Sequence, residues 1–395
     1  MNHCFDIYSK QILSFKLSGQ QDTELFAPAA DIEKITAKHL KLALQRNAQS
    51  IILFGLSDAL LAAKIMKDKP AGLQFIICDL HPEHVRKIKS GFPKDFLKIN
   101  NTHLLTDSSI WAHLLLLIQN DFAAAKSHLI LNPDLKGKSK EIHQKLQKLF
   151  SGLKYISPTP LPGKPKISAA AILSTDEPDL ESFISSFPDW LEELVLVWDC
   201  AAADSPPSLP RHDKLKIINI HHPLNADFSA QRNRMIKHCS GDWIIYLDAD
   251  ERLDNECWNL IKILASIKEC DGWYLPRITF YPDKNNCRAG YGLWPDLQLR
   301  LFRNLENIKF INKIHEQLQG ITGNYGIIPT APISHLTHLL KSRTHIKSKL
   351  DLFNEATDGI FQHKLNAEFP NVPAQLLKPA KNNSLMPVII PEINM

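Results

Sequence analysis

Short apolar runs that end on a glycine or an acid, each followed by a helical period, recur along the chain. Ser50 to Gly55 reads SIILFG, a strand closed by a glycine, and an alanine- and leucine-rich helical stretch follows from Asp58 to Lys67. QFIICDLHPEHVRKI repeats the cycle with a strand, the acid Asp79 and a helix starting near Pro82. Ser127 to Asp134, SHLILNPD, reads as a further strand. Strands and helices alternating in this way predict a doubly wound parallel sheet.

The rhythm stops at SPTPLPGKPK, Ser157 to Lys166, where four prolines and a glycine in ten residues exclude helix and strand alike. It then resumes. Lys166 to Leu173 predicts a strand, Asp179 to Phe187 a helix with Pro178 near its start, and Leu191 to Asp199 and Leu215 to His222 two more strands. Asp227 is a candidate cap for a helix with Phe228, Met235, Ile236 and Cys239 on one face, and Gly241 suits its stop. Trp243 to Leu247 is then an apolar run fit for a strand buried on both faces. From Leu260 onward the pattern loosens. Gly272 to Tyr281 suggests a strand on a mixed edge, a basic helical stretch runs from Thr337 to about Leu365, and the proline-rich tail reads as extended or disordered. The expected organisation is α/β throughout: a smaller Rossmann-like domain at 1–156, a linker at 157–166, a second domain at 167–350 and a tail at 351–395.

A chain of 395 residues is too long for one typical core, which agrees with two domains. Its composition, 44% hydrophobic and 22% charged, is that of a soluble globular protein. A net charge of +4 argues against a nucleic-acid partner. The seven cysteines include no CxxC pair, so the expectation is a reduced, cytoplasmic protein without a zinc or disulfide framework. The start, MNHCFDIYSK, has no basic-then-apolar signal pattern, and the longest apolar run near it, Leu114 to Ile118, is too short to span a bilayer. Membrane contact is expected to be peripheral at most.

The chemistry concentrates in WIIYLDADERL, Trp243 to Leu253. A buried strand that runs into Asp248, Asp250 and Glu251 needs compensation for clustered negative charge. In an open parallel sheet ligands sit at the carboxyl ends of strands, and residues two apart in an extended chain point to one side. Asp248 and Asp250 therefore suit a hard divalent ion, Mg²⁺ or Mn²⁺, that keeps positions open for phosphate oxygens. A solvated turn capping the next helix is the competing reading.

The longer stretch DFSAQRNRMIKHCSGDWIIYLDADERL resembles the core of family 2 glycosyltransferases with the GT-A fold, in the ordered series Phe228, Ala230, Arg232, Asn233, Gly241, Asp242, Trp243, Asp248, Asp250 and Glu251. The resemblance covers about Lys166 to Leu350 and is strongest to the lipopolysaccharide-core glucosyltransferase branch. It implies an inverting hexosyl transfer from a nucleotide-diphosphate sugar, UDP-glucose by default, to a glycan, lipid-linked or protein acceptor. It further implies that Asp250 binds the metal, with Asp248 on the donor ribose or the metal shell. Thr175, Glu177 and Asp199 would hold the nucleotide, Arg232 would approach its phosphates, and Asn233 would brace the loop. In GLWPDLQLRLFRN the resemblance points to Asp296 as general base and to Arg300 as a phosphate partner, with Glu316 of NKIHEQL as the competing base. His335 is a candidate to complete the metal shell.

Two features stand apart. DCAAADSPP, Asp199 to Pro207, keeps Asp199 and Asp204 but has alanine and proline where the family carries hydroxyl and glycine residues. That substitution leaves open a catalytically silent module that binds a glycan or partner. The first domain weakly resembles methyltransferases and flagellin-modifying motility accessory factors, yet Gly55 stands alone where G-x-G-x-x-G would lie. A scaffold or acceptor-docking role is expected there rather than methyl transfer. His81 and His84 read as an exposed helix start, and the basic run His338 to Leu350 as a solvated helix face or a seat for anionic lipid.

Overall fold

A computed structural model describes residues 3–15, 31–91, 101–156, 165–201, 214–313, 315–356, 369–377 and 388–389. Residues 157–164 of the linker, Asp204 and most of the tail beyond Ala356 lie outside the described residues. The chain forms two compact units. One comprises Met1–Lys154, Asn286–Asp296 and Glu368–Leu385, the other Tyr155–Asn285, Leu297–Ala367 and Met386–Met395. The boundaries expected from the sequence were contiguous; the units are not.

The first unit holds a parallel sheet in the order Thr102–Thr106, Gln74–Asp79, Ser50–Phe54, Ser127–Leu131. Registers of Ser50 with both Gln74 and Ser127 align its centre. Ile51, Leu53, Phe75 and Ile77 are fully buried and pack with Leu61 and Ile65 of the helix Leu60–Asp68. The run Leu114 to Ile118 lies in the helix Ile110–Gln119, buried within the unit. Part of the tail is ordered here: Asn371–Pro373 pairs antiparallel with Asn286–Arg288.

In the second unit the parallel strands are ordered Ile217–His221, Glu193–Asp199, Ile167–Ser174, Trp243–Tyr246. The strand order reverses between Ile167–Ser174 and Trp243–Tyr246. Asp296–Arg303 then adds antiparallel to Trp243–Tyr246, with Leu301 opposite Ile245. The strand Cys270–Thr279 is an interior strand, not an edge. It pairs with Asn324–Ile327 up to Tyr274 and with Ile333–His335 from Arg277. Pro276, which has no N–H to donate, falls in the gap between the two partners. That handover lets Ile333–His335 also reach Glu251–Arg252, with Glu251 opposite His335.

The helix Phe228–Lys237 begins where the sequence predicts, because the Asp227 carboxylate accepts a hydrogen bond from the Ala230 N–H at 2.9 Å. Gly241 is not its stop; His238 caps the helix with right-handed backbone angles. The glycine instead allows close approach: a Cβ there would lie 2.7 Å from the Ser168 nitrogen and 2.9 Å from the Lys166 oxygen. Gly241→Ala is expected to cost about 1–3 kcal/mol and to lower the Tm, while Gly72→Ala, with nothing within 4 Å, leaves it near wild type. The bond from the Ala230 N–H holds the Asp227 pKa below its ordinary value. Its stabilisation is therefore present above the unfolded pKa and lost as pH falls through the lower folded one. Asp227→Ala should cost about 1 kcal/mol at neutral pH, and its Tm deficit should shrink as the pH of the melt is brought below 4, the ordinary carboxylate range being roughly 4.

Candidate active site

The strand Trp243–Tyr246 is buried along its length, and the chain turns immediately after it. The Glu251 N–H donates to the Asp248 carbonyl at 2.8 Å, closing the turn, and the Glu251 carboxylate accepts from the Asp248 N–H at 3.1 Å. Glu251 is thereby drawn inside, at 0% exposure. Two guanidiniums meet it: Arg300 at 2.6 Å and Arg277 at 3.1 Å. Burial raises the Glu251 pKa, and these arginines oppose that rise.

Asp248 is held from two sides. Arg300 lies 2.6 Å from one of its oxygens and Arg232 3.3 Å from the other. Arg232 also donates from Nε to Glu316 at 2.5 Å. Both guanidiniums sit over the Tyr246 ring, at 4.5 Å for Arg232 and 4.4 Å for Arg300, which adds a cation–π attraction. Burial opposes the charge of both, yet Tyr246 and Asp248 outweigh it, with Glu316 on Arg232 and Glu251 on Arg300, so both pKa values are raised. Of the three carboxylates that the sequence left uncompensated, Asp248 and Glu251 are answered by arginine.

Asp250 faces a different group. Its carbonyl accepts from the Leu336 N–H at 2.8 Å. One carboxylate oxygen is 3.7 Å from His335 Nε2, and the other 3.5 Å from Lys341 Nζ. Lys341 reaches Glu177 as well, at 2.8 Å. Burial works against the Lys341 charge, but Asp250 and Glu177 more than offset it and raise the pKa. The other ring nitrogen of His335 is hydrogen-bonded to the Thr279 hydroxyl at 2.9 Å. In the tautomer in which Thr279 accepts from Nδ1–H, Nε2 would turn its lone pair toward the Asp250 side, the arrangement a ligating histidine uses. Asp250 and His335 thus fit a hard divalent ion. Among the described residues no three His, Cys, Asp or Glu side chains converge as a ligand set, so further positions would fall to other oxygens, as Mg²⁺ and Mn²⁺ accept.

The remaining candidates lie on other elements of the chain. Thr175 is exposed in the turn after Ile167–Ser174. Asp199 ends its strand opposite Ser174 and accepts from the Leu224 N–H at 2.7 Å. Asn233 exchanges two 2.8 Å hydrogen bonds with the backbone of Phe310. Asp296 opens the strand that carries Arg300 and is half-buried. The sequence reading missed Arg277 and Lys341. A lone charge inside the apolar stretch GWYLPRITFY was the available signal for Arg277; Lys341 was hidden in a basic run read as a solvated face.

In the first unit the Asp79 carboxylate is spent on the backbone, accepting from Leu56 N–H at 2.7 Å and His81 N–H at 2.8 Å. The Gly55 turn, at φ 91°, packs against Leu135, whose Cδ1 lies 2.5 Å from where a Cβ would stand. His81 and His84 are not an exposed helix start: His81 Nε2 meets the Ser139 hydroxyl at 3.1 Å, and His84 Nε2 the Ser57 carbonyl at 2.8 Å. No helix among the described residues is long and apolar enough to cross a membrane.

Removing Arg300 leaves a buried carboxylate short of its partner, a loss typically of about 3–5 kcal/mol. Arg300→Met should destabilise on that scale in denaturant unfolding. The double variant Arg300→Met/Glu251→Gln should recover part of the loss, and strict additivity would contradict the pairing.

Comparison with known proteins places this geometry in context. Residues 177–323 match the family model described as Glycosyl transferase family 2. A TPR repeat-containing protein of Synechococcus elongatus is 30% identical over 151 residues, 38% of this chain and 35% of that protein. The glycosyltransferase SunS of Bacillus subtilis is 25% identical over 156 residues, 39% and 35% of the two chains. The lipopolysaccharide core biosynthesis glycosyltransferase LpsC of Rhizobium meliloti is 30% identical over 130 residues, 30% and 44%. The chain spans less than half the length of these relatives. Among solved structures, S. aureus TarS 1-349 in complex with UDP-GlcNAc aligns at 12% identity with a TM-score of 0.33, covering 51% of this chain and 68% of that one.

Proposed function

We propose that this chain, whose residues 177–323 match the model of glycosyl transferase family 2, moves a hexose from a nucleotide-diphosphate donor to a hydroxyl acceptor with inversion. The observation that carries the reading is the placement of Glu177 and Asp250 at the point where the strand order reverses, joined through Lys341. Crevices of that kind bind ligands in open α/β sheets. UDP-glucose is the default donor, and the likeness to LpsC supports a lipopolysaccharide-type glycan as acceptor.

A divalent ion on Asp250 and His335 would neutralise the leaving diphosphate. The protein's own residues do the rest. Thr175, Glu177 and Asp199 line the strand ends where the nucleotide would lie. Arg232 and Arg300 fix Asp248 in one orientation and hold positive charge beside it. Asn233 clamps the strand Lys309–Ile311 and so supports the segment leading to Glu316. Asp296 is our choice of base for the acceptor hydroxyl. Glu316 competes, but its carboxylate is already engaged by Arg232 at 2.5 Å and would have to leave that partner to reach an acceptor. The first unit, with Gly55 packed on Leu135 and Asp79 bonded to backbone, we read as a scaffold or acceptor-docking element rather than a methyl-transfer site.

A second reading, a silent glycan- or partner-binding module, draws on the same arginines: Asp248 and Glu316 are both tied up by them. A panel of UDP-, GDP- and ADP-sugars separates the two. Metal-dependent donor hydrolysis is expected for the enzyme, abolished in Asp250→Ala. Absence of both turnover and any metal-dependent thermal shift across the panel would favour the silent module. With an acceptor in hand, Asp296→Asn should lower kcat by about 10²-fold or more and Glu316→Gln by less; the opposite ranking would move the base to Glu316.

A further inference from the structure

Lys341 is buried, at 8% exposure, although the basic and hydroxyl residues that follow it, Ser342 to His345, are exposed. An ammonium is seldom taken out of water without a compensating reason. Here its head stands between two strand ends. Glu177 follows Ile167–Ser174 and Asp250 follows Trp243–Tyr246, the neighbours between which the sheet reverses. Lys341 Nζ is 2.8 Å from the first carboxylate and 3.5 Å from the second.

One short segment brings it there. Ile333–His335 pairs with Glu251–Arg252, the Leu336 N–H bonds to the Asp250 carbonyl, and the helix Thr337–Leu340 ends with the Lys341 N–H on the Thr337 carbonyl at 2.9 Å. The same segment therefore delivers His335 to one oxygen of Asp250 and Lys341 to the other. A divalent ion drawn to Asp250 would meet an ammonium already holding that carboxylate, and like charges at such range repel strongly.

We propose that Lys341 is the resident counter-cation of the Asp250 site. It competes with a divalent ion for Asp250 and, when displaced, stays tethered to Glu177 as a ligand for diphosphate oxygens. The diphosphate half of this inference rests on the glycosyltransferase reading; the competition half does not. It also accounts for the chain placing Glu177 and Asp250 within reach of a single ammonium: the site carries its own neutralising charge before any donor arrives.

Mn²⁺ alone, titrated into the full chain and followed by electron paramagnetic resonance of the free ion, tests the competition. Lys341→Met should bind Mn²⁺ about tenfold more tightly than wild type, because a like charge has been removed. Lys341→Arg should resemble wild type. Glu177→Gln, which leaves Lys341 wholly to Asp250, should bind Mn²⁺ more weakly, and it tests the proposal even if Lys341→Met fails to fold. With Mn²⁺ saturating, inorganic pyrophosphate should bind Lys341→Met about tenfold more weakly, a charge-assisted contact having been lost. Equal or weaker Mn²⁺ binding by Lys341→Met, or Mn²⁺ binding by neither protein, overturns the competition. Unchanged pyrophosphate affinity overturns the diphosphate role. The glycosyltransferase reading is judged separately by donor turnover of the wild type, so each can fail alone.

Discussion

A carboxylate with no exposed surface, Glu251, sits at the end of a fully buried strand and is kept there by Arg300 and Arg277. The candidate site is organised around that constraint. Glu251 closes the turn after Tyr246 by accepting from the Asp248 N–H, so its position sets the direction in which Asp248 and Asp250 leave the sheet. Arg300 answers two carboxylates at once, which couples the turn to the antiparallel strand Asp296–Arg303. Tyr246 beneath gives both arginines an aromatic seat in place of water.

The cluster divides into two halves with different character. Around Glu251 the charges are arginine-bound and deep, an arrangement in which breaking one partner is costly and motion is disfavoured. Around Asp250 the partners are a lysine and a histidine on a short segment. A lysine is a point charge on a flexible stem and a histidine a titratable ligand, so both can exchange partners in a way a paired guanidinium does not. A rigid half that fixes direction thus stands beside a half whose charged partners are held on a single short segment.

Much of the framework was legible in order and period. The alternation of apolar runs with helical stretches located most of the parallel strands of both sheets, and Asp227 located a helix start that its carboxylate does cap. Gly241 was legible as a special position but for the wrong cause: local reasoning supplied a helix stop, whereas the requirement comes from Ser168 on a neighbouring strand. Cys270–Thr279 was misjudged as an edge because its handover at Pro276 depends on strands that come some fifty residues later in the chain, a long-range pairing that no local pattern encodes.

By itself, then, the sequence determined the α/β rhythm, the buried strand and the placing of Asp248, Asp250 and Glu251 at its end, because side-chain period and hydrophobicity act over a few neighbouring residues. The family resemblance also singled out Arg232, Asn233, Arg300, Glu316 and His335, but for roles toward a donor, an acceptor or a metal rather than as partners of these carboxylates. Only the tertiary structure decided which cation answers which carboxylate. Arg277 and Lys341 come from 26 residues and 91 residues further along than Glu251 and Asp250, and a Coulomb interaction depends on distance in space, which the order of residues does not fix.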